Sequence, residues 1–192
     1  MTKNRLEAFS DGVIAIIVTI MVLELKTPEN GTWQALLDKQ AIFESYLLSF
    51  VMVWIYWNNH HHLFQSVKKI NGKVLLANGH LLFWLSLMPF VTGWMGHFFE
   101  PLPVAVFGFV LLMAGVAYFI LTRVLIQLHG QDSSLSRAIG KDKKGIISLL
   151  GYSTAIGLAY FLPSVSCFIY VAIAIMWLIP DKRIEDFIEE FE

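Results

Sequence analysis

Charge is scarce in this chain. Of its 192 residues only 15% are Asp, Glu, Lys or Arg, where a soluble domain of this size carries about a quarter. With 56% hydrophobic residues and a mean hydropathy of +0.62, an ordinary cytosolic protein is excluded. So is a disordered chain, which cannot keep that much apolar surface in water. The formal net charge of −1 provides no basic field to attract nucleic acid. Cysteine occurs once, at Cys167, which leaves no intrachain disulfide and no cysteine-based zinc site. A leader pattern is also lacking. Lys3 and Arg5 precede the apolar run Val13 to Leu23, but Glu7 and Asp11 interrupt the segment and no small-x-small site follows Leu25, so cleavage is not expected. What the chain does have is long apolar runs, and the expectation is an all-α, polytopic protein of the lipid bilayer.

A bilayer core of about 30 Å takes roughly 20 helical residues to cross. Stretches free of Asp, Glu, Lys and Arg run from Ser45 to Val67, Val74 to Phe99 and Pro101 to Thr122. The run Gly145 to Pro180 holds 36 uncharged residues, about 54 Å as one helix and too long for one crossing. Pro163 lies at its middle. Proline removes a donor and disfavours helix in the residue before it, so two helices joined by a tight turn are expected. With the shorter segment Leu6 to Leu25 this gives six transmembrane helices in a single domain 1–192, over about 6–25, 45–66, 74–98, 103–125, 145–162 and 164–180. Six spans put both termini on one side, and that side then holds twelve of the fourteen Lys and Arg residues. Only Lys26 and Lys39 fall opposite. The positive-inside rule therefore places both termini in the cytoplasm, with the chain in the cell membrane. The outer segment around Trp33, Leu36 and Leu37 is expected to hold an interfacial turn. The tail 181–192 spaces Ile184, Phe187, Ile188 and Phe191 helically among acids and reads as an amphipathic cytosolic continuation of the last helix.

The first helix is anomalous. Its charge-free stretch, Gly12 to Leu23, is only 12 residues long, bracketed by Asp11 and Glu24. A helix so short in apolar length belongs inside a bundle, surrounded by protein or water. Glu7 and Asp11 are like charges at i,i+4, whereas Lys3 can pair with Glu7. Asp11 therefore needs donors from elsewhere. Arg5, Ser10 and the run Trp57-Asn58-Asn59-His60-His61-His62 are candidates, and Asn78 and His80 should lie at the same cytoplasmic depth. Such a group would satisfy its own polar atoms and fix how the first three helices pack. The three consecutive histidines point about 100° apart on a helix and cannot all ligate one ion. Structural hydrogen bonding, proton sensing and metal binding remain open for them at this stage. Ile16, Ile20, Leu23 and Thr19 form one stripe of the first helix, which by periodicity alone reads as facing lipid.

The segment Arg5-Leu6-Glu7-Ala8-Phe9-Ser10-Asp11-Gly12 resembles the R-x-x-x-F-S-D-G signature of the transmembrane protein 175 family of potassium channels. Trp57, His60, His61 and Phe64 resemble that family's W-x-x-H-H-x-x-F pattern. Asn78, Pro89, Phe90 and Thr92 resemble its Asn…Pro-Phe-x-Thr arrangement. The resemblance implies a homotetramer whose first helices line a central pore. It turns the aliphatic stripe toward that pore, with the constriction at Ile16, Ile20 and Leu23 and pore-lining polar groups at Thr19 and Glu24. It assigns Arg5, Phe9, Ser10, Asp11, Trp57, His60, His61 and Asn78 to a helix-packing hydrogen-bond network. The implied function is a potassium-selective, leak-like cation channel with no cofactor beyond the permeant ion.

No T-V-G-Y-G carbonyl filter occurs; Gly151-Tyr152-Ser153 lacks its context. An aliphatic neck gates by dewetting, so selectivity would come from the cost of stripping hydration, which is lower for potassium than for sodium. The alternative is a proton-coupled carrier or proton-permeable channel in which Asp11 and His60 or His61 form a relay. A membrane enzyme is disfavoured, because no convergent nucleophile or metal set is present in the sequence. A purely structural membrane component would give no flux.

Overall fold

The computed structural model describes residues 2–130, 133, 136 and 142–178; the tail read as amphipathic, 181–192, lies outside the described residues. Among the described residues there are helices and no strands. They are α1 (Lys3–Val22), α2 (Trp33–Leu37), α3 (Gln40–Gln65), α4 (Gly72–Ser86), α5 (Met88–His97), α6 (Pro101–His129), α7 (Lys143–Ala159) and α8 (Pro163–Leu178).

Local chemistry sets the ends. Thr32 and Asn71 cap α2 and α4 by accepting the Ala35 and Val74 amides at 3.3 and 3.0 Å. Pro101 opens α6, where a missing N–H costs nothing, and Gly130 closes it at φ 94°, a conformation that suits a residue without a side chain. Asp142 caps α7 through the Gly145 amide at 2.8 Å. The apolar run from Gly145 divides at Tyr160–Leu162, and Pro163 begins α8. The stretch from Val74 onward is two helices, α4 and α5, meeting at Leu87, two residues before Pro89 withholds a donor. Taken together, residues Gly72–His97 (26 residues) form a helix long and apolar enough to cross a membrane, as does α6 (29 residues).

The helices form two cooperating groups. In the first, α1 packs against α3, α4 and α5, and α3 packs on α5. Gly96 allows the closest approach: a Cβ there would lie 3.0 Å from the Ile42 backbone. Below it, the buried Thr92 hydroxyl donates to the Met88 carbonyl at 2.6 Å and accepts from Ser49 at 2.6 Å, joining α5 to α3. In the second group α6, α7 and α8 pack together, with α6 also against α4. Tyr170 is fully buried and donates to the Val104 carbonyl at 3.1 Å, lying directly over Gly108, where a Cβ would strike its hydroxyl. Ser166 donates to the Ala155 carbonyl at 2.7 Å and Trp177 to Ser148 at 2.8 Å, fastening α8 to α7. Small residues at these crossings let backbones approach, the arrangement expected where packing rather than water exclusion holds helices together.

Candidate functional site

The two faces of α1 are treated differently by the rest of the subunit. Leu6, Ser10, Ile14, Ile17 and Met21 are buried against α3, α4 and α5. On the other side Phe9 is 58% exposed, Ile16 59%, Ile20 45% and Leu23 68%. Gly12, Ala15 and Thr19 are exposed beside them. The Thr19 hydroxyl donates to the Ala15 carbonyl at 2.8 Å, so its oxygen lone pairs are what it offers outward. The aliphatic stripe is therefore an uncovered face of a helix anchored firmly on its back.

That anchor is a chain of hydrogen bonds with fixed direction. Ser10 donates to the Leu6 carbonyl at 2.9 Å, and the Asn78 amide nitrogen donates to the Ser10 hydroxyl at 2.9 Å. The Asn78 oxygen, 2.8 Å from His60 Nε2, can only accept, so His60 is the donor there. All three side chains are almost wholly buried, and the chain joins α1, α4 and α3. A second link runs beside it. Trp57 Nε1 donates to Asp11 at 3.0 Å, and the His61 ring stacks on Trp57 at 5.8 Å and 14°. Gln65 and His61 approach at 3.0 Å. Lys3 lies 4.0 Å from Glu7, the pair expected from their spacing.

Four expected residues stand elsewhere. Phe9 shares the uncovered face with Ile16 rather than the packed face with Ser10, because seven residues return a helix nearly to the same angle. Arg5 is exposed, with no bond to Asp11 or the histidines among the described residues. Glu24 does not point along the uncovered stripe. After Val22 the chain tightens, Leu23, Glu24 and Leu25 each bonding three residues back, and the Glu24 carboxyl turns onto α5. There it rests on Gly93, where a Cβ would lie 2.9 Å from Oε2. Nothing in the sequence singles out Gly93 except its place one turn before Gly96. His80, expected at the same depth as the network, serves Trp84 instead, accepting its indole N–H at 2.9 Å.

Residues 5–89 match the family described as endosomal/lysosomal potassium channel TMEM175. Over 192 residues the chain is 53% identical to a potassium channel of Chryseobacterium sp. (strain P1-3), covering 99% of this chain and 100% of that one. It is 31% identical over 136 residues to the endosomal/lysosomal proton channel TMEM175 of Danio rerio, covering 67% of this chain and 25% of that one. Among solved structures, the crystal structure of a lysosomal potassium-selective channel TMEM175 homolog from Chamaesiphon minutus is similar at a TM-score of 0.80. It is 26% identical, with 92% of this chain and 96% of that one covered. The first helix's signature, the shared all-helical fold and identity along the whole length of a relative converge on one kinship: the chain belongs to the TMEM175 family.

Proposed function

We propose that this chain is the subunit of a potassium-selective channel in the cell membrane. Each subunit crosses the bilayer six times with both termini in the cytoplasm, and four subunits surround one pore lined by α1. Ile16, Ile20 and Leu23 narrow that pore, and Thr19 adds a ring of hydroxyl oxygens. The observation that carries this reading is the uncovered stripe of α1, apolar and branched, on a helix pinned from behind by Ser10 and Met21.

An aliphatic ring gives an ion no ligand to replace water, so a narrow neck excludes ions by drying and favours the one that sheds its hydration most cheaply. Potassium sheds it more readily than sodium. Glu24, turned onto Gly93, acts on cations through its field at the outer end rather than by touching them. Gating is leak-like, since α1 carries no run of arginines at every third position for a membrane potential to move.

The test is potassium flux from liposomes containing the purified protein, followed by bi-ionic recording. The expected result is dissipation of a potassium gradient with no imposed proton gradient, and preference for potassium over sodium. Ile16→Asn hydrates the neck and reduces that preference several-fold. A mutant that keeps full potassium preference removes Ile16 from the constriction. Flux that requires a proton gradient replaces the channel with a carrier.

A further inference from the structure

Two rows of side chains on the open surface of the subunit share a spacing and a height. On α1, Ala8, Ala15 and Val22 recur every seven residues, and all three are exposed. On the α4–α5 span, Leu76, Phe83 and Phe90 recur at the same interval and are 78%, 55% and 63% exposed. Seven residues make nearly two turns, so each row stays on one side of its helix.

Two contacts fix the relative height of these helices. Asn78 bonds Ser10 near the inner end, a separation of 68 positions, and Glu24 rests on Gly93 near the outer end. Both numbers rise together, so the helices run the same way and keep one register along their length. Residue by residue, Ala8 lies level with Leu76, Ala15 with Phe83 and Val22 with Phe90, to within about one residue's rise of ~1.5 Å. Trp54, 52% exposed on α3, stands near the height of Ala15 and Phe83, six residues from His60 as Phe83 is five from Asn78.

The rows do not meet within the subunit. On α1, Ser10 faces α4 and Asp11, about 100° further round, is bonded to α3. Ala8, Ala15 and Val22 follow beyond Asp11, and the aliphatic stripe comes after them. The small row is thus on the α3 shoulder of the stripe, and the large row is on the span flanking its other shoulder.

We propose that neighbouring subunits join through these rows, with Leu76, Phe83 and Phe90 of one copy seated against Ala8, Ala15 and Val22 of the next. This rests on the reading of α1 as the pore helix, with which the small row is continuous. Rotation about an axis along the membrane normal preserves height, so a row can meet only what stands at its own level. The two shoulders differ, so the contact is head-to-tail and closes a ring. In lipid, association comes from close packing rather than water exclusion, and large side chains over small ones at matched heights supply it.

Cysteine cross-linking in membranes tests the proposal, in a Cys167→Ser background with two differently tagged copies co-expressed. Ala15→Cys in one copy and Phe83→Cys in the other are expected to form a disulfide between tags, as are Ala8→Cys and Leu76→Cys. The offset pair Ala15→Cys and Leu76→Cys, about 10 Å apart in height, is expected to form none, since bridged Cα atoms lie roughly 4.4–6.8 Å apart. Ala15→Leu should shift the oligomer to monomer on size exclusion, with part of it recovered by Phe83→Ala. Equal linking of the offset pair, linking between two Ala15→Cys copies, or no linking in intact oligomers would overturn the interface. Potassium flux from the same preparation separates the two claims: flux without the 15–83 link removes only this interface, and the link without flux removes only the channel.

Discussion

Asn78→Leu is the substitution that bears most directly on how the first helix is held. The side chains share four heavy atoms and the same branching, with Leu the bulkier, so no cavity results, but both polar atoms of the amide disappear. Two interhelical bonds go with them, at 2.9 Å to Ser10 and 2.8 Å to His60. Bonds of this kind inside a bilayer contribute about 0.6 kcal/mol each on average and up to ~1.7, giving roughly 1–3 kcal/mol for the pair. His60 is 1% exposed, so its Nε2–H is left without a partner, which costs about 1–3 kcal/mol more. The sum is about 2–6 kcal/mol, and for a chain of this size each kcal/mol lowers Tm by about 2–4 °C. The melting temperature, followed by fluorescence-detected size exclusion, should drop by about 4–24 °C. Ser10→Ala cuts one of the same bonds, so the double mutant should lose less than the two single losses added together. An Asn78→Leu protein within about 0.5 kcal/mol of wild type, or strict additivity with Ser10→Ala, would refute the idea that this chain clamps α1.

Three further outcomes are expected. Gly108→Ala drives a methyl group into the Tyr170 hydroxyl and to 2.7 Å from its Cζ, costing about 1–3 kcal/mol; folded yield should fall and partly recover with Tyr170→Phe, and an undiminished yield would deny the close crossing of α6 and α8. Asp11→Ala removes one exposed bond at 3.0 Å to Trp57 and should cost about 0.5–1.5 kcal/mol; folded yield should fall while the potassium-to-sodium ratio stays constant, and the opposite pattern would move Asp11 into the permeation path. Glu24→Gln should lower single-channel conductance by less than about twofold at 0.1 M salt, where screening limits a charge that does not touch the ion; a larger loss would mean that the carboxylate faces the lumen.

Much of the anchor was legible in the sequence because it depends on depth. Counting residues along the spans brings Ser10, His60 and Asn78 to one level, and a buried Asp, Ser, His or Asn at that level must find a partner. The stripe of Ile16, Ile20 and Leu23 was legible for a similar reason, since a helical wheel needs only spacing. The direction of the stripe was not. Lipid and a dry pore make the same demand on an aliphatic side chain, and only the family resemblance separated them. Phe9 shares that stripe by the same wheel, although its place beside Ser10 and Asp11 in the motif grouped it with the network. Glu24 escaped because α1 ends in tighter turns that swing its side chain round, and no residue type announces such a turn. Gly93, which makes room for that carboxyl, is silent in an apolar run until the neighbouring helix is in place.

The donor order through His60, Asn78 and Ser10 has a consequence for charge movement. A proton wire needs every link both to take and to give a hydrogen ion. This chain ends on the Leu6 backbone carbonyl, and its middle link is an amide whose nitrogen does not accept. A hydrogen ion that arrived at His60 would find no onward station along this chain of bonds. The contact that holds the first helix in place thus works as an insulator, fixing the helix that carries Ile16 and Ile20 without offering protons a path along it.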